Sequence, residues 1–442
     1  MGSLTAPRGG WEIPAEETSM EFRFVHAADL HLDTPFSGIA RVDERVFDAL
    51  TEASLSAWDN LVRLTLEEGA SFLLLAGDVY DGPSRALRAQ RRFLDGVRQL
   101  TNQGIKVFMV HGNHDPLGSG WTAVSSWPSG MTVFGADEVR AVPVEVDGRR
   151  LATVYGISFG APNEQRHLAK LFKRGPERGI HVGLLHTNLG GTEAHDNYAP
   201  SSRDDLLEAG LDYWALGHVH HRQTVIPGTP TWAVYPGNLQ GRSPQPGELG
   251  AKGALVVTCD DEAGVMEEPR FVPLDLVRFV NLEIDVRGRE DVASVVDEII
   301  KDLAELRRRH ENEGRGLIVR SHLRGDALVE GLLEPTSRED LLREVRDEMA
   351  GLEPFVWCEG IDVQMKAPLR LSDIRGRGDF MDLLVDEFEG VRQEGSLASL
   401  LQEIDRELPA SIRNEGPKDD ETILDGALRE CLRLLLREGQ ES

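Results

Sequence analysis

The chain has 442 residues, 40% hydrophobic and 28% charged, a balance ordinary for globular proteins that excludes a collagen-like, coiled-coil or wholly disordered chain. Its 75 acidic residues outnumber 48 Lys and Arg, for a net charge of −27. Such a surface repels nucleic acid at long range and excludes non-specific phosphate binding by the surface as a whole. Metal ions at the point of contact would still let it handle phosphates. At ~150 residues per domain the length corresponds to two to three domains. No apolar run approaches the ~18 residues of a membrane span, so no membrane association is expected. Cys259, Cys358 and Cys431 lie far apart without CxxC spacing, which predicts reduced thiols and a cytoplasmic location. Residues 1–19 carry Glu12, Glu16 and Glu17 and lack the apolar stretch of a signal peptide. They read as a disordered extension before Met20.

From Met20 to about Pro273, short apolar runs alternate with amphipathic stretches. Phe22–Ala27, Phe72–Ala76, Val107–Val110, Val182–Leu185 and Tyr213–Leu216 read as buried strands. Helical patterns fall between them at about Asp43–Glu68, Pro83–Asn102, Asn163–Phe172 and Arg203–Ala209. Gln223–Ile226, Thr231–Tyr235 and Ala254–Cys259 are strands with no helix between them. This predicts an α/β domain over 20–275 with a mixed sheet.

A small α+β unit follows over 276–368. Its elements are a strand at Phe279–Val286, a helix at about Arg289–Asn312, a strand at Gly316–Leu323, a helix at about Ser337–Met349 and a strand at Gly360–Met365. Residues 369–442 are acidic and helical in pattern. Apolar stripes run through Phe380, Leu384, Phe388 and Val391, through Leu397, Leu400, Leu401, Ile404 and Leu408, and through Leu424, Leu428, Cys431 and Leu435.

Ligand-type residues follow the predicted strands in series: Asp29 and His31; Asp78 and Asp81; Asn113, His114 and Asp115; His186; His218 and His220. In an open α/β sheet, ligands bind outside the carboxyl ends of the strands, so five separate stretches converge on one rim. The donors are carboxylate, imidazole and one amide, without thiolate. They suit Mn²⁺ first, with Mg²⁺, Fe or Zn as alternatives. There are too many for one ion with open positions. Two ions sharing a carboxylate account for the number, the usual device for phosphoryl displacement.

This ordered set resembles the calcineurin-like metallophosphoesterase superfamily. Ala28–Phe36 and Tyr235–Arg242 look like its DNA-repair exonuclease branch of SbcD and YhaO-type proteins. The resemblance covers about Met20–Pro273; beyond Leu276 it extends only to layout. It implies a metallophosphoesterase sandwich of two mixed β-sheets flanked by helices, with a small α+β capping domain and a helical C-terminal tail. It implies one ion on Asp29, His31 and His220, a second on Asn113, His186 and His218, and Asp78 bridging. It places His114 facing the scissile phosphate, to stabilise or protonate the leaving oxygen, and not as a ligand. Asp115 is assigned to orient that imidazole, with a simple turn residue as the alternative. Some relatives carry a substrate-contacting histidine where this chain has Asp81.

Arg85, Arg88, Arg91, Arg92 and Arg98 give a basic helix beside the rim. Two readings stay open for it, contact with a DNA backbone or a solvated face paired with acids. Arg307-Arg308-Arg309 reads as a solvated helix end, and His111, His195 and His221 match no ligand position. Arg242 and Tyr235 are candidates to line the groove, Tyr235 with packing as its alternative. The expected function is metal-dependent nuclease hydrolysis of DNA. A small-nucleotide phosphodiesterase and a DNA-end-binding regulatory subunit are the rivals. The expected partners are DNA, a second copy of the chain, and an SbcC-like coiled-coil ATPase docked on the tail.

Overall fold

A computed structural model describes residues 19–34, 44–82, 86–118, 124, 126–189, 199–289, 291–325, 335–363, 374–394, 427, 428 and 431. It divides into two compact units. One comprises Met1–Ile284, Val296–His322 and Pro335–Asp362; the other comprises Asp285–Val295, Leu323–Glu334 and Val363–Ser442.

The first unit opens with β1 (Glu21–Ala27), α1 (Glu44–Glu67), β2 (Phe72–Ala76), α2 (Leu87–Asn102), β3 (Lys106–Val110) and β4 (Met131–Val133). It continues through β5 (Arg140–Val146), β6 (Arg149–Gly156), β7 (Ile180–His186), α3 (Arg203–Glu208), β8 (Tyr213–Gly217), β9 (Gln223–Ile226) and β10 (Trp232–Tyr235). β11 (Gly253–Asp260), β12 (Gly264–Val265) and β13 (Arg270–Pro273) follow. One sheet has the order β12-β11-β1-β2-β3-β4 with β13 on β11, and the other β5-β6-β7-β8-β10-β9. β1, β2 and β3 run parallel, while β11 is antiparallel to β1. In the other sheet β6, β7 and β8 run parallel and β5 is antiparallel to β6. Both sheets are therefore mixed, as expected.

Period-two alternation explains the layering. Phe72 and Leu74 of β2 join Phe24, Phe108, Val182, Leu184 and Tyr213 between the two sheets. Leu73 and Leu75 face the other way, with Trp58 and Leu61 of α1 and Phe93 of α2. The outer face of the second sheet buries Tyr155, Leu185, Trp214 and Leu216 with Phe172 and Leu206. His26 lies wholly buried between the sheets. Its Nε2–H donates to the Leu216 carbonyl at 3.2 Å and its Nδ1 lies 3.1 Å from the Tyr213 hydroxyl. Burial lowers its pKa to about 3, so it is a neutral cross-sheet pin.

The predicted elements lack the short strands β4, β12 and β13, and differ from the fold elsewhere as well. The helix expected at Asn163–Phe172 is only a 3₁₀ turn at Leu168–Leu171. The β5–β6 hairpin was missed, although its Asp147-Gly148 turn takes left-handed φ values of 52° and 79°, the Asp-Gly signal for a tight hairpin.

A three-stranded sheet has the order β14 (Val277–Asp285), β15 (Gly316–Arg324), β16 (Val356–Val363), with α4 (Val292–His310) and α5 (Pro335–Glu348) between strands. Val277, Phe279, Ile318 and Trp357 pack with Val46, Leu50 and Ala53 of α1. In the second unit, α6 (Phe380–Glu394) packs Met381, Leu384, Val385 and Phe388 with Ile374 and Leu428. Phe380 is 66% exposed, so the packed face of α6 is rotated from the predicted stripe. The stripe at 397–408 lies outside the described residues. Of the third, Leu428 is buried and Cys431 exposed.

Candidate metal centre

Seven side chains meet at the C-terminal ends of β1, β2, β3, β7 and β8. They are Asp29, His31, Asp78, Asn113, His186, His218 and His220. The strands are parallel within each sheet where these residues leave them, so a residue just past each strand end arrives at the same rim. The backbone there is held in uncommon conformations. Asp29, His31, Asp78 and His218 have φ of 51°, 43°, 49° and 108°. Each such residue costs about 1–3 kcal/mol, and such residues collect at functional sites. The loops hold one another: Asp29 N–H donates to Gly77 O at 3.1 Å and His31 N–H to Asp78 O at 3.0 Å.

Bonds from the outer ring atoms decide which imidazole nitrogens face inward. His186 Nδ1–H donates to the Ala76 carbonyl at 2.9 Å. Its Nε2 then lies 3.0 Å from Asn113 Oδ1 and 3.4 Å from Asp78 Oδ2. His218 Nδ1 lies 3.2 Å from the same Asn113 oxygen. His220 Nδ1–H donates to Glu248 Oε1 at 2.8 Å, which turns its Nε2 to within 3.2 Å of His31 Nε2. Asp78 Oδ2 stands between the two groups, 4.0 Å from His31 Nε2. Its Oδ1 accepts from His114 N–H at 3.0 Å. Asp29, His31 and His220 form one cluster with mutually close donor atoms, and Asp29, Asp78 and His186 another. A Cβ at Gly112 would collide with both Asp78 Oδ1 and His186 Nε2, so the glycine lets these two side chains approach.

Burial and mutual charge set the protonation states. Burial pushes Asp29 up to about 6 against the pull of His186 and His220. Burial, with Arg242, lowers His31 to about 4. Burial also opposes the charge on Asp78, but His186 overrides it and holds Asp78 well below the carboxylate range. His186 itself rises to about 9, because Asp78 outweighs its burial. These are donor groups fitted to cations: two inward-aimed nitrogens at 3.2 Å and buried carboxylates beside them.

The structure gives His114 a different carboxylate from the one expected. Its Nδ1–H donates to Asp81 Oδ1 at 2.6 Å, and this bond raises the imidazole pKa and depresses Asp81. Asp115 instead accepts from the backbone N–H of Val79, Tyr80 and Gly112 at 3.0, 3.3 and 3.1 Å. It is fully buried, and it ties the third motif loop to the second. Asp81, expected toward substrate, is held by His114 and by Arg242 Nη1 at 3.3 Å.

Other candidates have partners within the protein. Tyr235 is buried and donates to the Thr187 carbonyl at 2.9 Å, so packing is its role. Arg88 pairs with Asp33 and Glu52 at 2.5 Å each, Arg92 with Asp59, and Arg98 with Asp95 at 3.2 Å. Three arginines of the basic helix are thus paired with acids. Arg85 and His195 lie outside the described residues. Sequence reasoning missed Glu248. The available signal was a carboxylate in the short Gln245-Pro246-Gly247-Glu248 turn after the Tyr235–Arg242 stretch.

The calcineurin-like phosphoesterase profile matches residues 22–222, and the profile for the middle domain of metallophosphoesterase YhaO matches 279–366. The chain is 34% identical over 359 residues to an uncharacterized metallophosphoesterase YhaO of Bacillus subtilis, covering 80% of this chain and 82% of that one. It is 26% identical over 290 residues to the DNA double-strand break repair protein Mre11 of Aeropyrum pernix, 62% of this chain and 66% of that one. It is 22% identical over 240 residues to a subunit of the nuclease SbcCD of Bacillus subtilis, 46% of this chain and 58% of that one. Among the described residues, no helix is long and apolar enough to cross a membrane.

Proposed function

The chain belongs to the calcineurin-like phosphoesterase family, and from that premise we propose that it hydrolyses phosphodiester bonds in DNA as a metal-dependent nuclease. The observation that carries the reading is the convergence of inward-aimed nitrogens and buried carboxylates on one rim, with an imidazole held by a carboxylate beside them. Divalent ions, when bound, neutralise charge on phosphoryl oxygens and lower the pKa of an attacking water. Asp29, His31 and His220 would hold one ion, Asn113, His186 and His218 the other, with Asp78 shared. Mn²⁺ is the expected metal, with Mg²⁺, Fe or Zn as alternatives.

The polypeptide supplies the remaining chemistry. Asp81 holds His114 Nδ1–H, which leaves Nε2 to carry the proton delivered to the leaving oxygen. With its side chain 40% exposed, His114 is within reach of a substrate that cannot enter a closed pocket. Asp115 keeps the loop bearing Asn113 and His114 in register with that of Asp78.

DNA is favoured as substrate by the names of the Mre11 and SbcCD relatives. In this reading 20–275 is the nuclease domain, 276–368 a cap, and 369–442 the docking segment for a coiled-coil ATPase. A homodimer and a cytoplasmic location belong to the same reading. The test is cleavage of end-labelled DNA with Mn²⁺, Mg²⁺ or EDTA, beside bis-p-nitrophenyl phosphate and cyclic nucleotides. The expected result is metal-dependent DNA cleavage. Turnover of cyclic nucleotides alone would make it a small-nucleotide phosphodiesterase, and ion binding without turnover would make it a regulatory subunit.

A further inference from the structure

The 3₁₀ turn Pro246–Glu248 puts a carboxylate that is only 6% exposed against the metal rim, and polar neighbours converge on it. Glu248 Oε1 accepts from His220 Nδ1–H at 2.8 Å. Oε2 accepts from Asn238 Nδ2–H at 2.6 Å and from Arg242 N–H at 3.1 Å. Lys252 Nζ is buried in turn and donates to the carbonyls of His220 and Gly247, at 2.7 and 2.6 Å. It thus clamps both ends of the His220–Glu248 contact. Arg242 Nε lies 3.5 Å from Glu248 Oε1, and Arg242 Nη1 lies 3.3 Å from Asp81 Oδ2. Asp81 Oδ1 stands 3.7 Å from His31 Nδ1. The contacts therefore close a ring through His220, Glu248, Arg242, Asp81 and back to His31, whose Nε2 faces His220 Nε2.

We propose that Glu248 is the positioning residue of the His31–His220 ion site. It fixes the Nδ1–H tautomer of His220 and aims Nε2 inward, and Arg242 holds Glu248 in the same lattice as Asp81. The inference deepens the metal-site reading above and rests on it. Its signature is asymmetry. Glu248 bonds to His220, whereas the rings of His186 and His218 are held from Ala76, Asn113 and Asp78. Its loss therefore weakens one ion and spares the other. A carboxylate behind a metal-ligating imidazole orients the ring and raises its basicity, and losing one typically lowers metal affinity ~10–100-fold.

The experiment is calorimetric titration of Mn²⁺ into the full-length chain, its Glu248→Gln variant and its Glu248→Asp variant, with melting temperatures of each before and after loading. Wild type is expected to bind two ions. Glu248→Gln keeps the shape of the side chain and should bind one ion unchanged and the other ~10–100-fold more weakly. Its metal-free melting temperature should stay near wild type, and its Mn²⁺-induced rise should shrink. Glu248→Asp restores the charge and should recover part of the lost affinity. Two unchanged affinities in Glu248→Gln would overturn the inference while leaving the metal-site reading intact. So would equal weakening of both ions, which marks a structural residue. If Glu248→Gln melts well below wild type without metal, Glu248→Asp decides: a symmetric loss there overturns the inference and an asymmetric one upholds it. A wild type that binds no ion overturns the metal-site reading and this inference with it.

Discussion

The metal rim and the outward face of α2 both gather charged side chains that the sequence picks out, but they treat those charges in opposite ways. At the rim, Asp29, His31, Asp78 and His186 are 1% exposed or less. The outer atoms of Asp29, Asp78 and His186 are engaged by backbone, and the inner atoms of the set are aimed at one another at 3–4 Å. Burying such groups is expensive unless a cation completes the set. On α2, Arg88, Arg92 and Arg98 are 43–56% exposed and each lies against a carboxylate from α1, from its own helix or from the first motif loop. Exposed ion pairs of this kind contribute ~1 kcal/mol or less and respond to salt. A cluster of ionisable residues thus signals a site where it is buried and inward-aimed, and a solvated surface where its members already neutralise one another.

The sharpest way to break this comparison is Asp78→Asn. If the carboxylate serves both halves of the rim, both ions should weaken. Losing ~4 kcal/mol of charge stabilisation would lower the rate by ~10³-fold. Metal analysis of the purified variant checks this, and retention of two tightly held ions would refute the shared role. Next in size is His114→Gln, which should lose ~10²-fold or more in rate with both ions retained. Loss of an ion from that variant would make His114 a ligand.

Asp81→Asn tests the link between geometry and pH. The His114–Asp81 bond raises the imidazole pKa, so the protonated acid persists to higher pH and is lost only as pH rises through that raised value. Without the Asp81 charge, the alkaline limb of the rate profile should move to lower pH, with several-fold lower activity above neutrality and little change below it. An unmoved limb would mean that His114 is not the acid. The smallest effect is expected from Arg88→Gln. Stability should fall by ~1 kcal/mol or less, seen as a slight drop in melting temperature, and the salt slope of DNA binding should not change. A flatter slope would return this arginine to the phosphate backbone.

The sequence by itself determined which residue types follow each strand that reaches the rim. A strand's length and polarity are local properties, and a residue just past a parallel strand can only arrive at the carboxyl edge. Asp29, Asp78, Asn113, His186, His218 and His220 were legible for that reason. The glycines beside them, such as Gly112, were visible as motif letters, but their packing function needed the fold. Only the tertiary structure decided how each functional group is partnered. His114 meets Asp81, far before it in the chain, rather than its neighbour Asp115, because Asp115 is turned inward onto three backbone amides. His220 meets Glu248, 28 residues away, and Arg88 meets Glu52, 36 away. Side-chain pairing across such separations depends on how loops from different strands come together at one edge, and no local periodicity records that.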